Sequence, residues 1–172
     1  MIFNSYDALK TEGFMGFRNI KDLFLNCSDV PNERGNYLVL YLGGDHPKFV
    51  PKGVGGFFKG KDPNRPIVEL EKHWVPGTIV VYIGQAGGVI KGKWSEQTLN
   101  DRISTYMKFG REKPVAHWGG RYIWQIQNYK DLVLCWKPLH DKVRDPKLCE
   151  HEMITEFKTQ YDGKRPFANC IG

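Results

Sequence analysis

Two tyrosines in strand-like apolar segments are the first residues of this sequence that suggest chemistry. Tyr37 lies in NYLVLYLGG and Tyr82 lies in TIVVYIGQAGG, and both segments have the apolar character of buried β-strands. A free phenol has a pKa of about 10, so only about one tyrosine in a thousand is ionised at pH 7. A tyrosine that acts as a general base at neutral pH therefore needs help from neighbouring groups.

A glutamate on the predicted core side of a helix is the second candidate. The segment DPKLCEHEMITEFKTQYDG begins with Asp-Pro and ends with glycine, which predicts a helix. At about 100° per residue, Glu150 falls within the apolar arc of this helix. That arc contains Cys149, Met153, Ile154, Phe157 and Tyr161. Because a carboxylate that faces a core must be paired or neutralised, Glu150 either pairs with a buried arginine, caps a loop or binds a metal ion.

An arginine beside the apolar stripe of another predicted helix is the third candidate. In SEQTLNDRISTYMKFG, Ser95 or Thr98 is a possible N-cap and Gly110 marks the end of the helix. The core-facing positions are Leu99, Ile103 and Met107. Arg102 and Tyr106 lie one turn apart on the flank of this stripe. Arg102 either spreads its aliphatic stem over apolar surface or contributes its charge to a site.

Basic and aromatic residues alternate in FGREKPVAHWGGRYIWQ, directly after that helix. Such a combination is typical of a path for nucleic acid. We predict contacts with nucleic acid from this segment and from the lysines of GGVIKGKWSE, and we expect His117 to be exposed. The predicted contact residues are Lys91, Lys93, Arg111, Lys113, His117 and Arg121. The alternative is that the lysines only keep the loops soluble and that Trp118 and Trp124 belong to the core.

The composition indicates a single basic domain over residues 1–172. Hydrophobic residues make up 41% of the chain, and lysine plus arginine exceed aspartate plus glutamate by six, which favours an anionic partner such as nucleic acid. No apolar run is long enough to span a membrane, so we expect no membrane partner. The four cysteines (Cys27, Cys135, Cys149 and Cys170) lack CxxC spacing, and no signal sequence is evident at the start. These features predict reduced thiols in the cytoplasm.

The pattern of elements predicts an α+β fold with a small mixed or antiparallel β-sheet flanked by helices. FRNIKDLFLNC predicts a helix within an N-terminal extension, residues 1–34, and IVELEKHW predicts another short helix. NYLVLYLGG, TIVVYIG, RYIWQI and DLVLCWKPL predict four strands. A long insertion, 43–77, separates the first two core strands, and a second insertion occupies 87–96. The predicted core, including both insertions, spans 35–170.

Five motifs in this order resemble the GIY-YIG nuclease superfamily. They are GNY ending at Tyr37, YIG beginning at Tyr82, the helical Arg102, Glu150 followed by Met153 and Ile154, and PFAN ending at Asn169. Each motif alone is weak, but the five in sequence are specific, and the resemblance covers roughly residues 35 to 170. The extra loops are similar to those of restriction-type or uncharacterised bacterial members.

The resemblance implies a phosphodiesterase site with one Mg²⁺ or Mn²⁺ ion. In the superfamily, two tyrosines line the site, here Tyr37 and Tyr82, and one of them deprotonates the nucleophile directly or through a water on the metal ion. Which tyrosine acts as the base differs between members. Arg102 would contact the scissile phosphate region, and Glu150 would bind the metal ion.

The same resemblance gives roles to two further residues and shows two departures. Tyr106 stands where relatives have histidine or tyrosine, and Asn169 would steady the site. Asn36 replaces isoleucine or valine. Gln85 replaces a lysine found in many relatives, so a cation that could lower the pKa of a tyrosine is missing there.

These observations lead to one leading hypothesis and two alternatives. We expect a Mg²⁺- or Mn²⁺-dependent endonuclease that acts on DNA. The first alternative is a nucleic-acid-binding module that has kept this scaffold and lost catalysis. The second is an RNase. Specificity would come from the inserted loops, from a homodimer or from a partner protein.

Overall fold

A computed structural model describes residues 1–44, 46–140 and 142–169 and has an α+β fold. The strands, in chain order, are β1 (Met15–Asn19), β2 (Gly35–Leu40), β3 (Val80–Ala86), β4 (Val89–Ile90), β5 (Lys93–Trp94) and β6 (Val133–Pro138). The α-helices are α1 (Tyr6–Thr11), α2 (Ile20–Leu25), α3 (Ile67–His73), α4 (Leu99–Phe109) and α5 (Pro146–Gln160). Two short 3₁₀ helices span Arg121–Gln125 and Tyr129–Asp131. The predicted α+β class is confirmed.

The main sheet is antiparallel, with the strand order β1, β6, β2, β3. Every residue of β2 is buried, which confirms the prediction of a buried strand. In register, Tyr37 of β2 lies opposite Gly84 of β3 and opposite Trp136 of β6. The sheet therefore places Tyr37 between two neighbouring strands.

The core lies on both faces of this sheet. On one face, Tyr37 and Val39 pack with residues of α4 and with Trp124 of the first 3₁₀ helix. On the other face, Leu38 and Leu40 pack with the N-terminal segment and with Phe157 of α5. Because successive strand residues point to opposite faces, the alternating positions of β2 supply both clusters.

The N-terminal extension is part of the sheet, which the sequence did not predict. The expected helix over FRNIKDLFLNC is wrong at its start, since residues 17–19 belong to β1 and only Ile20–Leu25 is helical. Gly16 and Phe17 both have positive φ, at 89° and 45°, which is incompatible with a right-handed helix. Leu25, at the end of α2, is exposed. The extension thus supplies an edge strand that pairs with β6.

The segment RYIWQI is a 3₁₀ helix, so the predicted strand is wrong. All five residues from 121 to 125 are buried, and Gln125 finds its partners in the insertion 43–77. The side-chain amide of Gln125 donates to the carbonyl groups of Val50 and Arg65 at 3.0 and 2.9 Å. Packing against the insertion explains why an apolar stretch of strand length does not join the sheet.

Several local predictions are confirmed. IVELEKHW contains α3, and α4 begins after Thr98 and ends before Gly110. Asp145 caps α5 by accepting from the Lys147 amide at 2.9 Å. The second insertion, 87–96, contains the hairpin of β4 and β5.

Two further expectations concerned the state of the cysteines and the absence of a segment that spans a membrane. Cys27, Cys135 and Cys149 are free thiols, while Cys170 lies outside the described residues. No helix in the described part combines the length and the apolar character needed to cross a bilayer.

Candidate functional site

Three tyrosines from three elements form the centre of the candidate site. The ring centroids of Tyr37 and Tyr82 lie 5.9 Å apart, and Tyr106 lies 6.4 Å from the first and 5.7 Å from the second. Gly84 makes this approach possible, because a Cβ at Gly84 would overlap the ring of Tyr37. Tyr82 is 4% exposed and the other two are fully buried. We call these three residues the tyrosine cluster.

Helix α4 positions Arg102 and Tyr106. Its start is fixed by a capping box in which Thr98 accepts from the Asp101 amide and Asp101 accepts from the Thr98 amide. Tyr106 was expected on the flank of the helix but is completely buried, because it packs against both strand tyrosines. Arg102 is half-buried, and its Nη1 donates to the carbonyl of Ala116 at 3.2 Å.

Glu150 on α5 is a half-buried carboxyl group with an altered affinity for protons. Burial raises its pKa to about 7, although the positive charges of Arg102 and Lys147 oppose this shift. Its carboxyl group has no hydrogen bond or ion pair with any other described residue. Of the three roles considered from the sequence, an ion pair with a buried arginine and a loop cap are therefore not seen among the described residues. The oxygen atoms of Glu150 remain free to bind a ligand.

The strand tyrosines, Arg102 and Glu150 interact electrostatically. Burial raises the pKa of Tyr37 and, more strongly, that of Tyr82; Arg102 lowers both values and Glu150 raises both. Burial by itself lowers the pKa of Arg102. Its net pKa is nevertheless raised, because the charge of Arg102 is stabilised by Tyr37, Tyr82 and Glu150. The structure thus brings these four predicted residues together from β2, β3, α4 and α5.

A segment after α4 covers the tyrosine cluster. In this segment, residues 115–120, which we call the strap, the carbonyl of Gly120 accepts from the Tyr106 hydroxyl at 2.6 Å. A Cβ at Gly120 would overlap that hydroxyl, and one at Gly119 would lie 3.2 Å from the hydroxyl of Tyr82. The two glycines therefore allow the strap backbone to approach the tyrosine hydroxyls closely.

His117 lies on the inner side of the strap, so the expectation that it is exposed is wrong. It is fully buried and stacks on Tyr106, with ring centroids 3.8 Å apart and planes at 19°. Its Nε2 lies 3.2 Å from the hydroxyl of Tyr37. Burial, together with the charge of Arg102, lowers the pKa of His117 well below its ordinary value. No sequence signal identifies this position, because it depends on the path of the strap.

Arg121 was predicted to contact nucleic acid, but the structure buries it. The side chain is 7% exposed and lies between the rings of Trp118 and Tyr122, at 4.6 and 4.8 Å. Its Nη1 donates to the Trp118 carbonyl at 3.2 Å, and its Nε has no partner among the described residues. The other predicted contact residues are exposed, namely Lys91, Lys93, Arg111 and Lys113.

Asn169 binds the outer edge of β3 next to Tyr82. Its Oδ1 accepts from the Ile83 amide at 2.9 Å, and its Nδ2 donates to the Ile83 carbonyl at 2.8 Å. The amide of Ala168 donates to the carbonyl of Val81 at 2.8 Å. The C-terminal segment therefore holds the backbone on both sides of Tyr82.

Two departures from the superfamily pattern also have structural partners. Asn36 is buried in β2, and its Nδ2 donates to the Pro146 carbonyl at 2.8 Å, so it ties the central strand to the first turn of α5. A polar residue inside an apolar strand is the signal that could have identified it. Gln85 accepts from the Gly88 amide at 3.2 Å and thereby stabilises the turn after β3.

The side chains present fit at most a weakly held metal ion. No group of three or more His, Cys, Asp or Glu side chains within the described ranges could hold a metal ion. A single carboxylate such as Glu150 suits Mg²⁺, which commonly keeps several waters and uses substrate phosphate as a further ligand.

The chain matches no family model, and no curated protein and no solved structure is significantly similar to it.

Proposed function

We propose that the protein is a metal-dependent endonuclease of the GIY-YIG type that hydrolyses phosphodiester bonds in DNA. The observation that carries this proposal is the meeting of Tyr37, Tyr82, Arg102 and Glu150, which come from four separate elements and influence one another's pKa. A general base, a cation for the phosphate and a carboxylate for a metal ion are the groups that such hydrolysis needs.

Each residue has a distinct task in the proposed reaction. The guanidinium of Arg102 neutralises the negative charge that develops on the phosphate oxygens, a task for which its planar donors are suited. A tyrosine hydroxyl of the cluster accepts the proton of the attacking water. When bound at Glu150, a Mg²⁺ or Mn²⁺ ion supplies Lewis-acid stabilisation of the phosphate and lowers the pKa of water.

A nucleic-acid-binding module without catalysis is the second candidate. Two observations favour it, namely the closed strap over the tyrosine hydroxyls and the hydrogen bond from Gly88 to Gln85 at a position that is lysine in many relatives. This candidate predicts salt-dependent DNA binding with no cleavage of any substrate in Mg²⁺ or Mn²⁺.

A plasmid-nicking assay separates the candidates. We expect the protein to convert supercoiled plasmid to open-circular DNA in Mg²⁺ or Mn²⁺, and EDTA to abolish this conversion. Glu150→Gln should remove cleavage, whereas the matched variant Glu152→Gln should retain it, because Glu152 is exposed and pairs with Arg144 at 3.1 Å. Equal cleavage by Glu150→Gln and the parent protein would refute the proposal.

A matched panel of DNA and RNA substrates of one sequence tests the choice of nucleic acid. We expect cleavage of the DNA members. Cleavage confined to the RNA members would show that the enzyme is an RNase instead.

A further inference from the structure

We infer that His117 is the terminal proton acceptor of a relay that runs through Tyr37, which makes Tyr37 rather than Tyr82 the base for the attacking water. This inference rests on the proposed endonuclease function. His117 acts through Tyr37 and does not itself touch the substrate, so it is a positioning residue.

The geometry of His117 supports the relay. Its Nε2 lies 3.2 Å from the Tyr37 hydroxyl, and the imidazole is held by stacking on Tyr106 at 3.8 Å. Arg102 also holds the strap, because its Nη1 donates to the carbonyl of Ala116, the residue before His117. The phenol and the imidazole are therefore fixed at hydrogen-bonding distance by two strap contacts.

The unpaired nitrogen of His117 argues against a purely structural role. Nδ1 is buried and has no hydrogen-bond partner in the described part of the chain. If the hydroxyl of Tyr37 donates to Nε2, the neutral ring carries its proton on Nδ1, and that N–H is left unpaired. A buried donor without a partner is costly, and an apolar ring could stack on Tyr106 without this cost. An apolar ring at position 117 would lack the nitrogen that faces the Tyr37 hydroxyl. This nitrogen is therefore what the histidine adds at this position.

The relay also removes the difficulty of using a buried tyrosine as a base. Burial raises the pKa of Tyr37, so a free tyrosinate is scarce at neutral pH. In the relay, no free tyrosinate has to form. The hydroxyl oxygen of Tyr37 receives a proton from water while its own proton passes to His117.

The bonds and protons balance in this step. One O–H bond of water breaks as a new O–H bond forms on Tyr37, and the original Tyr37 O–H bond breaks as an N–H bond forms at Nε2. The water oxygen bonds to phosphorus, and the bond between phosphorus and the leaving oxygen breaks. The products of the step are neutral Tyr37, protonated His117, a phosphate monoester and the leaving alkoxide, which takes a proton from solvent.

The surroundings of His117 favour release of the proton from the imidazole ring. The titratable or charged groups that interact with it are Tyr37 of β2, Tyr82 of β3, and Arg102 and Tyr106 of α4. Among these four, only Arg102 carries a charge at neutral pH, and it is positive. Since like charges repel, the imidazolium is short-lived and the neutral ring is restored for the next turnover.

A measurement without substrate tests the hydrogen bond. With ¹⁵N-labelled histidine, the spectrum of the full chain should show one neutral ring that is protonated at Nδ1 and accepts a hydrogen bond at Nε2. The variant His117→Gln assigns this signal by removing it. Tyr37→Phe should shift its Nε2 resonance toward that of a free acceptor, and an unchanged resonance would overturn the inference.

Kinetics of matched variants test the relay itself. His117→Gln can fill the space but cannot take up the proton, and His117→Phe retains the stacked ring. We expect both variants to melt cooperatively, to keep KM within about twofold of the parent value, and to lose about 10²- to 10⁴-fold in kcat. Combining His117→Gln with Tyr37→Phe should cost little more than either change alone, because the two residues act as one unit.

The pH profile distinguishes a relay from a structural role. Above a pH of about 7.5 the parent rate should be flat, because the imidazole is already neutral. The rate of His117→Gln should rise about tenfold per pH unit, because deprotonation must then come from hydroxide or tyrosinate. Parallel profiles, or unchanged kcat in His117→Phe, would overturn the relay while parent cleavage keeps the endonuclease proposal. If the parent protein cleaves nothing, the endonuclease proposal and the relay both fall.

Discussion

At the scale of single residues, Glu150 links the proposed chemistry to the stability of the fold. A carboxyl group that is held in a half-buried position without an ion pair is stabilised in its protonated form, which is why its pKa reaches about 7. At neutral pH this carboxyl group is therefore partly ionised, and its ionisation lowers the free energy of unfolding. A cation that binds the ionised form offsets that cost.

This linkage predicts how Glu150→Gln changes stability with pH. The pKa of Glu150 is about 4.5 in the unfolded chain and about 7 in the folded protein. Its protonation stabilises the fold fully below pH 4.5, and this contribution is lost as the pH rises through 7. Without metal ions, the parent should therefore lose about 2 kcal/mol of unfolding free energy relative to Glu150→Gln between a pH of about 4.5 and about 8.

Urea unfolding at a pH of about 5 and of about 8 measures this difference, with Glu152→Gln as the control. The control carboxyl is exposed, so its replacement should change the free energy of unfolding similarly at both values of pH. A constant difference between the parent and Glu150→Gln would contradict the assigned environment of Glu150.

At the scale of elements, the strap is held by close backbone contacts that leave little room for side chains. A Cβ at Gly120 would overlap the Tyr106 hydroxyl, whereas one at Gly119 would stay 3.2 Å from the Tyr82 hydroxyl. Gly120→Ala should break the hydrogen bond between Tyr106 and the Gly120 carbonyl and lower the free energy of unfolding by about 1 to 3 kcal/mol. Thermal unfolding of Gly120→Ala and Gly119→Ala checks this, and a larger loss in Gly119→Ala would contradict the contact.

The C-terminal segment gives a second prediction at this scale. Asn169→Ala removes both hydrogen bonds to Ile83 and leaves the amide and the carbonyl of that residue without these partners. We expect a loss of about 1 to 3 kcal/mol in the free energy of unfolding. Asn128→Ala is the matched control, because the Asn128 side chain is exposed and makes no capping hydrogen bond. Equal urea midpoints for the two variants would refute the prediction.

The elements that the sequence predicts well are those with local signals. The caps Thr98 and Asp145 and the terminator Gly110 mark α4 and α5, and the two apolar faces of NYLVLYLGG mark β2. β1 has no such signal, because its conformation depends on pairing with β6, which lies far later in the chain. The 3₁₀ helix of RYIWQI likewise depends on the distant insertion 43–77.

The candidate site shows the same division. Tyr37, Tyr82, Arg102 and Glu150 are predictable because each is a polar residue at a position that local periodicity marks as apolar or flanking. His117 is not, because its contact with Tyr37 is set by long-range packing of the strap. Asn36 is marked by its polar type inside an apolar strand, but its partner at the start of α5 is not. Local sequence thus identifies the reactive groups, and tertiary structure decides what surrounds them.

At the scale of the whole molecule, the excess of positive charge should govern association with DNA. Four exposed residues near the end of α4 and in the β4–β5 hairpin carry the prediction: Lys91, Lys93, Arg111 and Lys113. Replacing all four with glutamine should weaken binding and reduce the slope of log affinity against log salt by about 3 to 4, if each contacts a phosphate. Fluorescence anisotropy with a short duplex, in EDTA to prevent cleavage, measures both quantities.

A second set of four exposed lysines provides the control. Replacing Lys10, Lys21, Lys72 and Lys158 with glutamine removes the same number of charges from other parts of the surface. We expect a much smaller change in the salt slope for this set. Equal slopes for the two sets would mean that net charge alone, and not a defined path, attracts the DNA.

The contact between Asn169 and β3 has a consequence for the solubility of the protein. β3 is the last strand of the sheet, and the carbonyl of Val81, together with the amide and carbonyl of Ile83, would otherwise be open to pairing with a strand of another molecule. The chain occupies these groups with Ala168 and Asn169, using one side-chain amide in place of a further strand. The same few residues that border the tyrosine cluster thus hinder edge-to-edge pairing along this part of β3.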